Sequence, residues 1–125
     1  VENVSLKILV IEDNEGDWFL IKEYLSELYL ENFIIQSSRL KDALDQLALN
    51  HFDAILLDYS LPDSIGTKGI KKILSSAQGV PLIILTGYAD RATAIHSLQL
   101  GAQDYLLKNE MTPALLIKSI AYSIE

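Results

Sequence analysis

Five side chains able to handle a phosphoryl group or a hard cation stand at the ends of four short apolar runs in this 125-residue chain. Glu12 and Asp13 follow Lys7-Ile8-Leu9-Val10-Ile11, and Asp58 follows Ala54-Ile55-Leu56-Leu57. Thr86 follows Leu82-Ile83-Ile84-Leu85, and Lys108 follows Tyr105-Leu106-Leu107. An aspartate can attack phosphorus and become an acyl phosphate. If the acids lie about 5 Å apart, each pair repels by roughly 3 kcal/mol at an effective dielectric of about 20, so the cluster calls for a divalent cation. Mg²⁺ suits it, because that ion is held by one or two carboxylates, waters and phosphate oxygens. Lys108 would bring a point charge and Thr86 a hydroxyl to the phosphoryl oxygens, while Gly87 leaves their approach open.

For these groups to meet, the runs must be parallel strands. Unbroken Val, Ile and Leu without polar alternation suits a sheet covered on both faces, and such sheets bind ligands just beyond the carboxyl ends of their strands. Helical patterns fill the intervals. Trp18, Ile21, Leu25 and Leu28 predict a first helix with Asp17 as its N-cap, and Phe33 to Gln36 a second strand. Leu40, Ala43, Leu44, Leu47 and Ala48 give the clearest amphipathic helix, and Ile70, Ile73, Leu74 and Ala77 the third. Ile95 and Leu98 mark a weaker fourth helix ending at Gly101, and Thr112-Pro113 opens a fifth. Strict alternation of five strands and five helices predicts an α/β (βα)5 three-layer sandwich with flavodoxin-like topology, its parallel sheet in the order 2-1-3-4-5.

Composition narrows the class. Half the residues are hydrophobic, enough for the core of one domain over residues 1–125. No apolar stretch approaches the roughly 20 residues needed to span a bilayer, and no signal-peptide pattern opens the chain, so no membrane partner and a cytoplasmic location are expected. The absence of cysteine excludes disulfides and thiolate metal sites. A net charge of −7 argues against direct nucleic-acid binding. Val1 at the start and a helical pattern still running at Glu125 suggest a domain excised from a longer multidomain protein.

Together these motifs resemble the receiver domain of two-component response regulators. The resemblance rests on Glu12-Asp13, on Asp58 followed by Leu61-Pro62 and Gly66, on Thr86-Gly87, and on Gly101-Ala102-Gln103-Asp104-Tyr105-Leu106-Leu107-Lys108. It implies that Asp58 accepts phosphate from the phosphohistidine of a sensor histidine kinase or phosphotransfer domain. It also implies that Asp13, Asp58 and the Ser60 backbone carbonyl ligate Mg²⁺, with Glu12 acting mainly through water. Thr86 and Tyr105 would form the switch, altering the surface of the fourth helix, fifth strand and fifth helix toward an output partner or domain. Such a protein catalyses its own phosphorylation and dephosphorylation and does not turn over small substrates. Asn109 after Lys108, where the family often has proline, and Gln103 before Asp104 depart from the DNA-binding subfamily.

Each residue taken singly has a plainer reading. Glu12 and Asp13 could merely favour a helix start, Lys108 could end a strand in solvent, and Tyr105 and Trp18 could be packing residues. His51 and His96 lack a second ligand at helical spacing and read as structural or solvent-exposed. Three other functions compete with this reading. A haloacid-dehalogenase-like phosphatase needs an acid where Ser60 stands, and an FMN carrier would meet repulsion from Glu12 and Asp13. A pseudo-receiver would bind partners without phosphate. Ser60 and Tyr88, two residues after Asp58 and Thr86, are placed to steer water attacking the acyl phosphate.

Overall fold

Successive residues of a strand point to opposite faces of the sheet, so an apolar run without polar breaks needs cover on both sides. The computed structural model, which describes residues 5–29, 33–64, 67–87 and 91–125, provides that cover. Strands β1 (Ile8–Ile11), β2 (Ile34–Ser37), β3 (Ala54–Asp58), β4 (Leu82–Thr86) and β5 (Asp104–Leu107) pair in parallel in the order β2-β1-β3-β4-β5. Between and after them run α1 (Glu15–Leu25), α2 (Leu40–Leu49), α3 (Lys68–Ser76), α4 (Arg91–Leu100) and α5 (Pro113–Ile124).

On one face Ile8, Val10, Leu56 and Leu85 pack with Ile21 and Leu25 of α1 and Leu116 and Ile120 of α5. On the other, Leu9, Ile11, Ile55 and Leu57 meet Leu40 and Ala43 of α2 and Ile70 and Ile73 of α3. Helix α4 lies over β4 and β5 beside α3. This is the expected three-layer sandwich. Strand β2 is displaced one residue from its expected position, and the Gly66 and Tyr88 readings lie outside the described residues. Among the described residues, no helix is long and apolar enough to cross a membrane.

Helix ends follow local chemistry, with two departures. Thr112 caps α5 by accepting from the Leu115 amide at 3.1 Å, with Pro113 in the first turn, and Gly101 leaves α4 at φ +126°. Asp17, however, is not the α1 cap. Asn14 is, its side chain accepting from the Asp17 amide at 2.9 Å, which puts Asp17 inside the first turn and frees its carboxylate. Arg39, at the N-cap position before α2, offers no capping bond; Asp63, in the loop after β3, accepts from the Leu40 and Lys41 amides at 2.8 and 3.1 Å instead.

The fourth helix forms where expected but turns a different face inward. Ile95 and Leu98 are 50% and 38% exposed, whereas Ala94 and Ser97 are buried. Small residues let α4 approach the sheet closely. The Ser97 hydroxyl is satisfied within the helix, donating to the Ala94 carbonyl at 2.6 Å, so its burial leaves no orphaned polar group.

Candidate functional site

Parallel pairing brings residues far apart in sequence to one edge. Ile11 lies beside Leu57, Asp58 beside Leu85, and Thr86 beside Leu107, so the residues that follow or end these strands share the carboxyl rim of the sheet. Glu12 leaves β1 fully buried, its amide donating to the Ser37 carbonyl at 2.9 Å and its own carbonyl accepting from the Gln36 side chain at 3.1 Å. Asp13 is exposed beside it. Asp58 ends β3 almost fully buried, and the Ser60 amide donates to its Oδ1 at 3.1 Å. One oxygen from each of Glu12, Asp13 and Asp58 lies within 4.8 Å of the others.

Lys108 begins a single 3₁₀ turn (Lys108–Glu110) directly after β5 and reaches back over this rim. Its Nζ is 2.7 Å from Glu12 Oε1, 2.8 Å from Asp17 Oδ2 and 3.4 Å from Asp58 Oδ2. The expected convergence of ammonium and acids is therefore present, with Asp17 as an additional member. The following peptide needs no special isomer, since there are no cis bonds among the described residues. Asp17 was legible only as a helix-start residue. No local pattern links it to Lys108, which stands 91 residues away.

Burial and charge set the electrostatics. Burial raises the Glu12 carboxyl from 4.5 to about 7; its contact with Asp58 adds to the rise, and Lys108 opposes it. Burial also pulls on Lys108 in the direction of the neutral amine, but hydrogen bonds to Asp17 and Glu12 outweigh that effect and hold the ammonium above its ordinary range.

Thr86 ends β4 buried, and among the described residues its hydroxyl finds no hydrogen-bond partner. Gly87 is exposed next to it, and a Cβ built there would meet no atom within 4 Å. Tyr105 is half-buried on β5, packed against the α2 and α3 side of the core. Ser60 is exposed in the turn after Asp58. His51 stands apart from the acids, before β3, within 3.6 Å of Asp53, and His96 lies on α4 facing Gln99.

Three clustered carboxylates offer an all-oxygen donor set, the kind a hard divalent ion takes. An ammonium and an unpartnered hydroxyl, the kinds of donor a tetrahedral anion takes, stand at the ends of neighbouring strands.

The response regulator receiver domain model matches residues 8–121. The chain belongs to that family. As a receiver domain of two-component response regulators it is 33% identical over 99 residues to the regulatory protein LuxO of Vibrio vulnificus strain YJ016, covering 79% of this chain and 21% of LuxO. It is 31% identical over 104 residues to the regulatory protein AtoC of Escherichia coli K12, covering 82% and 22% of the two chains. The receiver domain thus spans about a fifth of the length of the curated relatives it matches. Its fold superposes on the receiver domain of the sensor histidine kinase PA1611 of Pseudomonas aeruginosa PAO1, solved with magnesium coordinated in the active-site cleft. That pair has a TM-score of 0.81 and 28% identity over 97% and 98% of the chains. A response regulator receiver domain protein of Clostridium thermocellum gives 0.82 and 28% identity over 95% and 94%.

Proposed function

We propose that this receiver domain accepts a phosphoryl group on Asp58 from a phosphohistidine of a sensor histidine kinase or phosphotransfer domain. One observation carries the reading: the Lys108 ammonium, from the end of β5, stands within 3.4 Å of the Asp58 carboxylate at the end of β3. In the transfer an Asp58 oxygen attacks phosphorus, an O–P bond forms as the N–P bond of the phosphohistidine breaks, and the imidazole leaves with the bonding pair and takes a proton. Asp58 is oriented for this by the Ser60 amide on Oδ1, which leaves Oδ2 on the Lys108 side. Lys108 places its charge against the transferred oxygens, and the unpartnered Thr86 hydroxyl supplies a further donor.

Glu12, Asp13 and Asp58, with the Ser60 carbonyl, would hold Mg²⁺. When bound, the ion neutralises charge on the phosphoryl oxygens, the main electrostatic need of phosphoryl transfer. Gly87 keeps the mouth beside Thr86 free of side-chain bulk.

Thr86 and Tyr105 would carry the signal outward. Thr86 ends β4 and Tyr105 lies on β5, and on α4 and α5 beside them Ile95, Leu98, Leu115 and Tyr122 are exposed and available to an output partner or domain. The test is incubation with acetyl phosphate and Mg²⁺ followed by intact-mass measurement. A gain of one phosphoryl group, absent from Asp58→Asn, is expected; no gain in the unmodified chain would overturn the proposal in favour of a phosphate-independent binding module.

A further inference from the structure

An ammonium has three N–H donors, and three carboxylates surround that of Lys108. Glu12 and Asp17 are close, at 2.7 and 2.8 Å, whereas Asp58, the residue assigned to take phosphate, is the most distant at 3.4 Å. Glu12 and Asp58 also belong to the group of oxygens gathered for a metal; Asp17 does not. Nor does α1 need the Asp17 side chain for its start, because Asn14 caps the helix through the Asp17 backbone amide. The carboxylate is left with Lys108.

We propose that Asp17 is a positioning residue that draws the Lys108 ammonium toward α1 and restrains phosphoryl transfer to Asp58. This rests on the reading of Asp58 as phosphoacceptor. Oxygens arriving on Asp58 compete with Asp17 for the position of the ammonium, so Lys108 serves them better as its contact with Asp17 loosens. That exchange is feasible because the Asp17 side chain is 41% exposed and water replaces the ammonium around it. The restraint is therefore moderate in size. It also ties the first turn of α1 to the state of the acceptor.

The experiment compares the full 125-residue chain with Asp17→Asn, Asp17→Ser, Asp17→Glu and Glu15→Gln, using acetyl phosphate at saturating Mg²⁺ and following the mass gain with time. Asp17→Asn and Asp17→Ser remove the carboxylate but keep the backbone amide that Asn14 accepts from. Both are expected to react about 3- to 10-fold faster than the unmodified chain, up to about 1.4 kcal/mol in barrier. Asp17→Glu, which restores a carboxylate, returns the rate toward the original. Glu15→Gln removes an equal charge from the same helical turn and leaves the rate within about two-fold, which separates a contact with Lys108 from a general field.

Equal or slower reaction of both carboxylate-free variants, with a reacting parent, overturns the role of Asp17 alone. An increase in Glu15→Gln matching that in Asp17→Asn does the same. A parent chain that gains no phosphoryl group overturns the assignment of Asp58 and this inference with it.

Discussion

Glu12 and Lys108 stand 2.7 Å apart, the acid fully buried and the ammonium half-buried above it, yet the pairing does not keep Glu12 strongly acidic. Burial wins and lifts the carboxyl to about 7. The consequence for stability has a definite sign. Between about 4.5 and 7 the folded chain holds a proton that the unfolded chain has released, so without metal the protein loses stability as pH rises through that window. The slope is about 1 kcal/mol per pH unit for one proton. Denaturant titrations at pH 5, 6, 7 and 8 are expected to show this decline, and Glu12→Gln to flatten it. Mg²⁺, which favours the ionised acid, should stabilise the domain more at pH 8 than at pH 5.

Removing the ammonium is expected to separate metal binding from phosphoryl uptake. Lys108→Gln takes a positive charge from beside Glu12 and Asp58, so Mg²⁺ binds several-fold tighter while phosphoryl gain from acetyl phosphate falls at least about ten-fold. Calorimetric titration and intact mass read the two effects. Parallel losses in both would contradict the assigned role of Lys108.

Asp63 joins the loop that follows the acceptor to the start of α2, and its two backbone hydrogen bonds outweigh burial and keep its carboxyl below the ordinary range. Asp63→Ala is expected to cost about 1 kcal/mol, the usual worth of a helix cap. Because the folded group is the more acidic, this contribution is present above the unfolded value and fades as pH falls through the folded one. Melts of the two proteins should therefore converge in strong acid.

Gly69 in α3 lies against Ser64, so closely that a Cβ built on it would collide with Ser64 Oγ. Both residues are buried, which leaves little room to yield. Gly69→Ala is expected to destabilise the fold by about 1–3 kcal/mol. Adding Ser64→Ala removes the clashing oxygen and should recover most of the loss in a double-mutant comparison of melting temperatures.

The sheet order, the five helices and the edge on which Glu12, Asp13, Asp58, Thr86 and Lys108 meet were all legible in the residues themselves. Buried parallel strands need continuous apolar runs, and the hand of their crossovers leaves few ways to connect them. Local chemistry was equally plain at Thr112 and Gly101, where the group that ends or starts the helix belongs to the helix itself.

Tertiary structure decided what depends on partners distant along the chain. Asp17 has the composition of a cap, but its carboxylate is claimed by a lysine 91 residues away, and α2 takes its cap from Asp63, 23 residues beyond its first residue. The inward face of α4 likewise follows the close approach of the sheet, which selects Ala94 and Ser97 over the larger Ile95 and Leu98. Hydrophobic pattern specifies which elements form and in what order, because burial is nearly non-directional. Which polar group each side chain finds depends on distances of a few tenths of an ångström, and only the packed fold sets those.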